Sequence, residues 1–378
     1  MDVAFYAPLK PPDHPVPSGD RRVARLLMAA LERSGYRPVL ASRFRSYDGK
    51  GDAGRQRHLQ ALGSRIAAQI VADWKQPGAK PPDAWFTYHL YYKAPDWIGP
   101  AVSRELGIPY FVAEASYAPK RAGGPWNAGH EATARALRQA ARVFCLNPND
   151  VPCIAPVVAE PDRIVMLPPF LETAPYRQAA DRRRESRGVI AGRHGLDPDA
   201  PWLLAVAMMR SGDKLQSYEA LARSLLQLPS QPWQLLVVGD GPARPAVERA
   251  FAAFDPGRIR FTGLIDAAAL PAIYAVADVF VWPAVNEAYG MALLEAQASG
   301  LPVLSARTGG VPGVVADGET GILVRPGDDR AFSEALARLI GDPALRDRFR
   351  AAALDVTATR HDIGTAAEIL GRGMAGPP

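Results

Sequence analysis

Short apolar runs alternate with longer stretches of helical periodicity along most of the 378 residues. That pattern argues for β-α units and parallel sheets. The spacing predicts strands over 3–7, 36–41, 84–88, 110–113, 143–146 and 164–167, with helices over about 20–34 and 95–106. Ser18, Gly19 and Asp20 open the first helix and Gly35 closes it, while Gly107 closes the second. A second set follows, with strands over 202–207, 233–238, 260–263, 279–282 and 302–305, and helices over about 215–228, 243–253, 267–276 and 290–299. Between the sets, Pro168-Pro169 and the polar run Arg182-Arg183-Arg184-Glu185 read as a linker with a flanking helix over about 168–200. The expected organisation is two α/β domains, 1–175 and 176–355, with a C-terminal helix in 356–378 returning to the first. Ligands of such sheets lie at the carboxyl ends of the strands.

Composition narrows the class. Hydrophobic residues make up 48% and charged residues 22%, which suits a folded globular chain. No run of about 18 apolar residues exists and the N-terminus lacks the basic and apolar regions of a signal peptide, so a soluble cytoplasmic protein is expected. Cys145 and Cys153 cannot build a disulfide framework or a four-cysteine zinc site, and read as packed thiols in a reducing compartment. The net charge is +5, but residues 1–65 alone hold ten Arg and two Lys against six acids. This basic domain is either a solvated arginine-rich face or a surface that meets anionic lipid, making an anionic membrane surface one candidate partner. Nothing resembles a nucleic-acid-reading element, and nucleic acid is not an expected partner. Only seven residues are lysine, and after Lys120 the sole one is Lys214.

The densest chemistry lies in 282–300. A strand ends at Trp282, Pro283 turns the chain, and Gly290 lets backbone approach a ligand at a helix start. The amides of Gly290, Met291 and Ala292 there would form an anion site aided by the helix dipole. Glu287 and Glu295 stand eight apart, placing one carboxylate on each side of such an anion, and a carboxylate suits a vicinal diol such as a ribose.

The run Asn286-Glu287-Ala288-Tyr289-Gly290-Met291-Ala292-Leu293-Leu294-Glu295, followed by Thr308-Gly309-Gly310 and 317–324, resembles the signature of family 4 retaining glycosyltransferases. Upstream, 238–242 and 260–263 resemble it too; the likeness is specific over about 202–345 and looser over 1–170. It implies the GT-B fold: α/β, two Rossmann-like parallel-sheet domains facing across a cleft, with the nucleoside diphosphate sugar donor on the second and the acceptor on the first. It further implies that Glu295 holds the donor ribose and that Glu287 and the amides after Gly290 meet donor sugar and phosphates. Gly263 and Leu264 would lie beside the base, and Asn286 and Tyr289 would line the donor pocket. Gly19 stands where relatives carry the second of two adjacent glycines, and would let the first helix approach the donor phosphates.

Phosphate charge has to be balanced as the donor breaks down. The one Asp-x-Asp, Asp197-Pro198-Asp199, sits in a turn and reads as punctuation, so no metal and no cofactor are expected. Arg210 and Lys214 supply a basic pair instead, although Met209 and Leu215 replace two usual glycines. His89 ends a strand and is a candidate catalytic residue. Glu114 stands where many relatives carry a second His, and would orient an acceptor hydroxyl or act as base. Lys120, Arg121, Trp126 and His130 lie in an expected Gly-rich loop that would touch the acceptor.

The expected activity is retaining, metal-independent transfer of a hexose from a UDP- or GDP-sugar to a hydroxyl of a glycan or lipid. The alternatives are a sugar-nucleotide epimerase of the same fold and a non-catalytic nucleotide-sugar-binding protein. A dehydrogenase fits less well, because no Gly-x-Gly-x-x-Gly follows the first strand.

Overall fold

The computed structural model describes residues 1–16 and 18–376. Pro17 of the first loop and residues 377–378 of the expected C-terminal segment lie outside the described residues. The chain forms two compact units, Met1–Pro168 with Ile363–Pro378, and Pro169–Asp362.

In the first unit the elements alternate: β1 (Asp2–Tyr6), α1 (Gly19–Arg33), β2 (Arg37–Ser42), α2 (Ala53–Trp74), β3 (Ala84–Leu90), α3 (Gly99–Leu106), β4 (Tyr110–Ala115), α4 (Asn127–Gln139), β5 (Arg142–Cys145), α5 (Val151–Val158) and β6 (Ile164–Met166). The second unit begins with two helices, α6 (Ala174–Asp181) and α7 (Arg183–His194). It continues with β7 (Trp202–Val206), α8 (Asp213–Leu226), β8 (Gln234–Val238), α9 (Arg244–Ala250), β9 (Ile259–Gly263), α10 (Leu270–Val276) and β10 (Val279–Trp282). Then come α11 (Met291–Ala298), β11 (Val303–Ala306), β12 (Gly321–Val324), α12 (Asp329–Gly341) and α13 (Pro343–Arg360). The last helix, α14 (Ile363–Met374), belongs to the first unit.

Each unit holds a six-stranded sheet, ordered β2-β1-β3-β4-β5-β6 in the first and β12-β11-β10-β7-β8-β9 in the second. All pairings are parallel. The central strands β3, β4, β7 and β10 are buried almost throughout, as strands covered on both faces must be. In both sheets the winding reverses once, at β1/β3 and at β7/β10. Loops leaving the carboxyl ends of those strand pairs diverge and leave a crevice.

Local sequence explains the helices. Ser18 caps α1 by accepting from Arg21 N at 3.2 Å, and Val23, Leu27, Ala30 and Leu31 form its buried stripe. The preceding Pro-rich loop is held by arginines. Arg21 donates to His14 O (2.8 Å), Arg25 to Pro12 O (2.7 Å) and Arg45 to Leu9 O (2.9 Å), while Arg43 pairs with Asp13. Three of the arginines in 1–65 therefore tie down the chain's own carbonyls.

Several expectations are corrected. The stretch read as a linker is integral to the second unit, because Arg183 and Arg187 of α7 converge on the buried Asp278 at 2.5 and 3.1 Å. Asp278 also accepts from Trp202 N at 2.8 Å, and Arg187 stacks on the Trp202 ring at 4.1 Å. Burial and the neighbouring Arg350 charge pull the Arg183 guanidinium down to about 10, against the opposing pull of Asp278. The first boundary falls at Pro168 rather than 175, because Leu171 N donates to His361 O (3.0 Å) and Thr173 Oγ1 to Asp362 Oδ2 (2.5 Å). The second falls after Asp362; position 355 lies inside the continuous helix α13. Only α14 returns to the first unit, where Ser34 Oγ donates to Ala367 O at 2.6 Å. Helix α2 was not foreseen, and its buried residues (Gln56, Leu59, Gly63, Ala67) make a faint apolar stripe. His130 lies in α4, not in a loop.

Replacing Asp278 with Ala leaves Arg183 and Arg187 without their carboxylate. Removing one partner of a buried pair costs about 3–5 kcal/mol. Chemical denaturation of the variant should show a loss of that size, whereas Glu334→Ala, whose partner Arg330 is exposed, should shift stability by less than about 1 kcal/mol.

Candidate functional site

Two constellations form at the carboxyl ends of the two sheets, one in each unit. In the second unit the loop after β10 carries Ala284 and Asn286 with positive φ (54° and 49°). Non-glycine residues in that region cost of order 1–3 kcal/mol each and persist where the surroundings over-determine them. The surroundings here are explicit. Val285 N donates to Ser217 Oγ at 3.0 Å, and Asn286 Nδ2 to Asp213 Oδ1 at 3.2 Å. Gly309 (φ 52°) lies so close that a Cβ would stand 2.0 Å from Glu287 O, and Gly310 N donates to Ala288 O at 2.7 Å. The Gly309-Gly310 pair thus buttresses the segment that carries Glu287.

Glu287 accepts from Lys214 Nζ at 2.5 Å and from Trp282 Nε1 at 3.3 Å, and the ammonium lies 5.4 Å from the Trp282 ring. Lys214 sits in the first turn of α8, after β7, and Glu287 before α11, after β10. The pair therefore spans the reversal of the sheet. Gly290 (φ 74°) caps α11, and a Cβ there would lie 2.5 Å from Leu293 Cδ1. Met291 and Ala292 form the half-exposed first turn, whose amides lack acceptors within the helix.

The two carboxylates are not equivalent. Glu287 is half-buried in the loop, whereas Glu295 is 3% exposed and accepts from Tyr274 OH at 2.7 Å. Arg210 is exposed on the loop before α8, with its guanidinium 3.5 Å from Met208 Sδ. Met209, where the resemblance leads one to expect glycine, is fully buried, and its carbonyl accepts from Ala243 N at 2.9 Å. Gly263 O accepts from Gly239 N at 2.9 Å, and the next residue, Leu264, is 78% exposed. Tyr289 is buried. Asp197 Oδ1 accepts from Asp199 N at 2.9 Å, consistent with a turn.

In the first unit His89 and Glu114 are in-register neighbours on β3 and β4, between the pairs Tyr88–Ala113 and Leu90–Ala115. Both have positive φ (62° and 58°), so four of the five such non-glycine residues among the described residues lie in these two constellations. His89 Nδ1 lies 3.0 Å from Asp20 Oδ1 and 3.9 Å from Glu114 Oε1. Asp20 comes from the first turn of α1, after β1, so this pair also spans a reversal. Among the described residues Glu114 Oε2 is buried without a hydrogen-bond partner. Burial opposes the imidazolium, yet Glu114, Asp20 and Asp150 outweigh it and raise the His89 pKa. Burial likewise opposes the Asp20 carboxylate, and the His89 contact overcomes it and lowers that pKa. Burial raises Asp150, which accepts from Ser116 Oγ at 2.8 Å. Burial also pushes the Cys145 thiol up to about 11. A Cβ at Gly19 would meet nothing within 4 Å, so local packing does not require glycine there.

Comparison with known proteins supplies the family context. Residues 200–342 match the family described as glycosyl transferases group 1. A D-inositol 3-phosphate glycosyltransferase of Nocardia farcinica is 30% identical over 268 residues, 68% of this chain and 51% of the relative. One of Corynebacterium efficiens is 34% identical over 198 residues, 50% of this chain and 46% of the relative. The chain spans about half the length of the curated relatives it matches. Among solved structures, Anabaena HepE in complex with UDP superposes with a TM-score of 0.72 at 16% identity, covering 99% of this chain and 100% of that one. A UDP-forming α,α-trehalose-phosphate synthase of Burkholderia xenovorans gives 0.74 at 13% identity, covering both chains fully. These likenesses establish the fold, GT-B, with two Rossmann-like sheets.

Asp20, Trp282, Ser217 and Tyr274 were missed as site residues. Asp20 had a signal, since it follows the glycine after the first strand, but its partner lies 69 positions away.

Two outcomes follow. The His89–Asp20 interaction favours the imidazolium, so its contribution to stability is complete below the ordinary pKa of 6.5 and fades as pH rises through the raised value. NMR titration should place His89 above 6.5, and Asp20→Asn should move it downward. Gly309→Ala should destabilise the second unit by more than about 1 kcal/mol, because it combines a positive φ with a backbone collision; urea unfolding measures this.

Proposed function

We propose that the chain is a retaining, metal-independent glycosyltransferase that moves a hexose from a UDP- or GDP-sugar to a hydroxyl of a glycan or lipid. The observation that carries this reading is the Lys214–Glu287 pair across the β7/β10 reversal, inside the segment that matches the group 1 family. Breaking the sugar–phosphate bond leaves a diphosphate, whose growing charge needs fixed positive groups. The Lys214 ammonium has three donors, of which Glu287 takes one, and the α11 amides add a dipole aimed at an anion. Arg210, exposed on the preceding loop, is the second cation in this scheme. Glu295, fixed by Tyr274, is the proposed partner of the ribose hydroxyls.

On the acceptor side, His89 and Glu114 are the proposed groups. Below its raised pKa the His89 imidazolium has no lone pair to accept a proton. The acceptor proton then passes to the leaving phosphate on the same face of the sugar, which gives retention. The UDP complexes of structural neighbours make uridine the first donor base to test. Association with an anionic membrane would rest on fewer arginines than the sequence count, since Arg21, Arg25, Arg43 and Arg45 are engaged within the chain.

A thermal-shift panel of UDP, GDP and ADP should show stabilisation by UDP or GDP. Lys214→Ala should cut donor turnover by about 10²–10³-fold, the size of losing one group that stabilises transition-state charge. Product NMR should show retained anomeric configuration, with an unchanged rate in EDTA. Near wild-type turnover by both Lys214→Ala and Glu295→Ala would sink the assignment. Release of a free epimerised nucleotide sugar without acceptor would replace it with an epimerase.

A further inference from the structure

An aromatic run leaves His89 within the first unit. The rings of His89 and Tyr91 are 5.0 Å apart, Tyr91 and Tyr92 5.6 Å, and Tyr92 and Trp126 5.7 Å. Two cations close on the far end. Lys93 Nζ lies 5.8 Å from the Tyr92 ring and 5.2 Å from the Trp126 ring, and Arg121 Cζ lies 5.1 and 5.7 Å from the same two rings. Among the described residues neither cation has a carboxylate within 4.0 Å, and Arg121 Nε is buried without a hydrogen-bond partner. Two like charges have thus been gathered around one ring pair, and the carboxylate of the neighbouring Asp48 is turned to Gln56 Nε2 (3.0 Å) and pairs with neither. Ring faces attract cations but do not neutralise them.

The cluster is held in place. Asp48 N donates to Lys93 O at 2.8 Å, and Asp48 O accepts from Trp126 Nε1 at 2.8 Å. Gln56 Nε2 bridges Asp48 Oδ2 (3.0 Å) and Pro125 O (2.8 Å), which joins the loop before α4 to the start of α2. Tyr92, Lys93, Arg121 and Trp126 are all half-buried, so the two charged side chains are packed against the rings rather than extended into solvent.

We propose that Lys93 and Arg121, over the Tyr92–Trp126 pair, form a binding site for a phosphate group carried on a sugar-like ring, and that this phosphate marks the acceptor. The inference rests on the glycosyltransferase reading for the word acceptor, but not for the anion site itself. Guanidinium and ammonium bind the phosphate oxygens, the aromatic faces pack against the ring, and the site lies two aromatic steps from the imidazole. The phosphate can belong to a free sugar phosphate or to a lipid headgroup, and the same groups recognise both.

Calorimetry on the full chain at low salt, with glucose and glucose 6-phosphate as probes, tests the site. Vesicles of phosphatidylcholine with and without phosphatidylinositol separate the two sources. Loss of charge-assisted hydrogen bonds is worth roughly tenfold or more in affinity, so glucose 6-phosphate, phosphatidylinositol vesicles, or both should outbind the uncharged probe by that factor. Lys93→Gln with Arg121→Gln should abolish the preference and Arg121→Lys alone should keep most of it, with circular dichroism confirming that each variant is folded. Equal binding of charged and uncharged probes in both arms, or a preference that survives the double substitution, overturns the proposal. Wild-type protein stabilised by UDP or GDP but without phosphate preference removes this inference alone. Phosphate preference without any nucleotide response removes the glycosyltransferase reading and leaves the anion site standing.

Discussion

Both constellations depend on one constraint of parallel sheets. Right-handed crossovers force a chain that winds outward in one direction to return to the middle before winding in the other. The two strands flanking that reversal send their loops apart, and residues far apart in sequence come together above them. In the first sheet the flanking strands deliver Asp20 and His89, in the second Lys214 and Glu287. Each reversal is thus crossed by a cation–carboxylate contact, and each is bordered by non-glycine residues in the left-handed region. The same topological event produces the site twice, with an imidazole as the basic partner in one unit and a lysine in the other.

Charge also serves cohesion away from the two constellations. Asp278 gathers two guanidinium groups and a strand-opening amide, which fastens α7 to the start of β7 and the end of α10. In the first unit, arginines hold the proline-rich loop, whose rigid residues offer carbonyls but few amides of their own. The arginine bias fits both tasks, since a planar fork can serve several carbonyls at once while keeping its charge.

How much was legible follows from how local each feature is. The turn, glycine and helix start of 282–300 are contiguous, so their geometry could be read from the sequence, as could the alternation of strands and helices. The Lys214–Glu287 pair was not legible, because it depends on β7 and β10 being neighbours although β8 and β9 come between them in the chain. Arg183 and Arg187 read as a polar linker because a half-buried guanidinium is recognised only through its partner, here some 90 residues away. Helix α2 hid behind a stripe in which Gln56 and Gly63 stand where leucines would have signalled it. The glycines and proline before Trp126 masked the start of α4 and with it the buried position of His130.

The scarcity of lysine has a practical meaning once the pairing is known. The second unit contains a single side-chain amine, the Lys214 Nζ held by Glu287. An amine-directed reagent therefore addresses one atom in the whole of that unit. Its reactivity becomes a direct gauge of whether that ion pair is closed, opened, or covered by a bound molecule, without any engineered label.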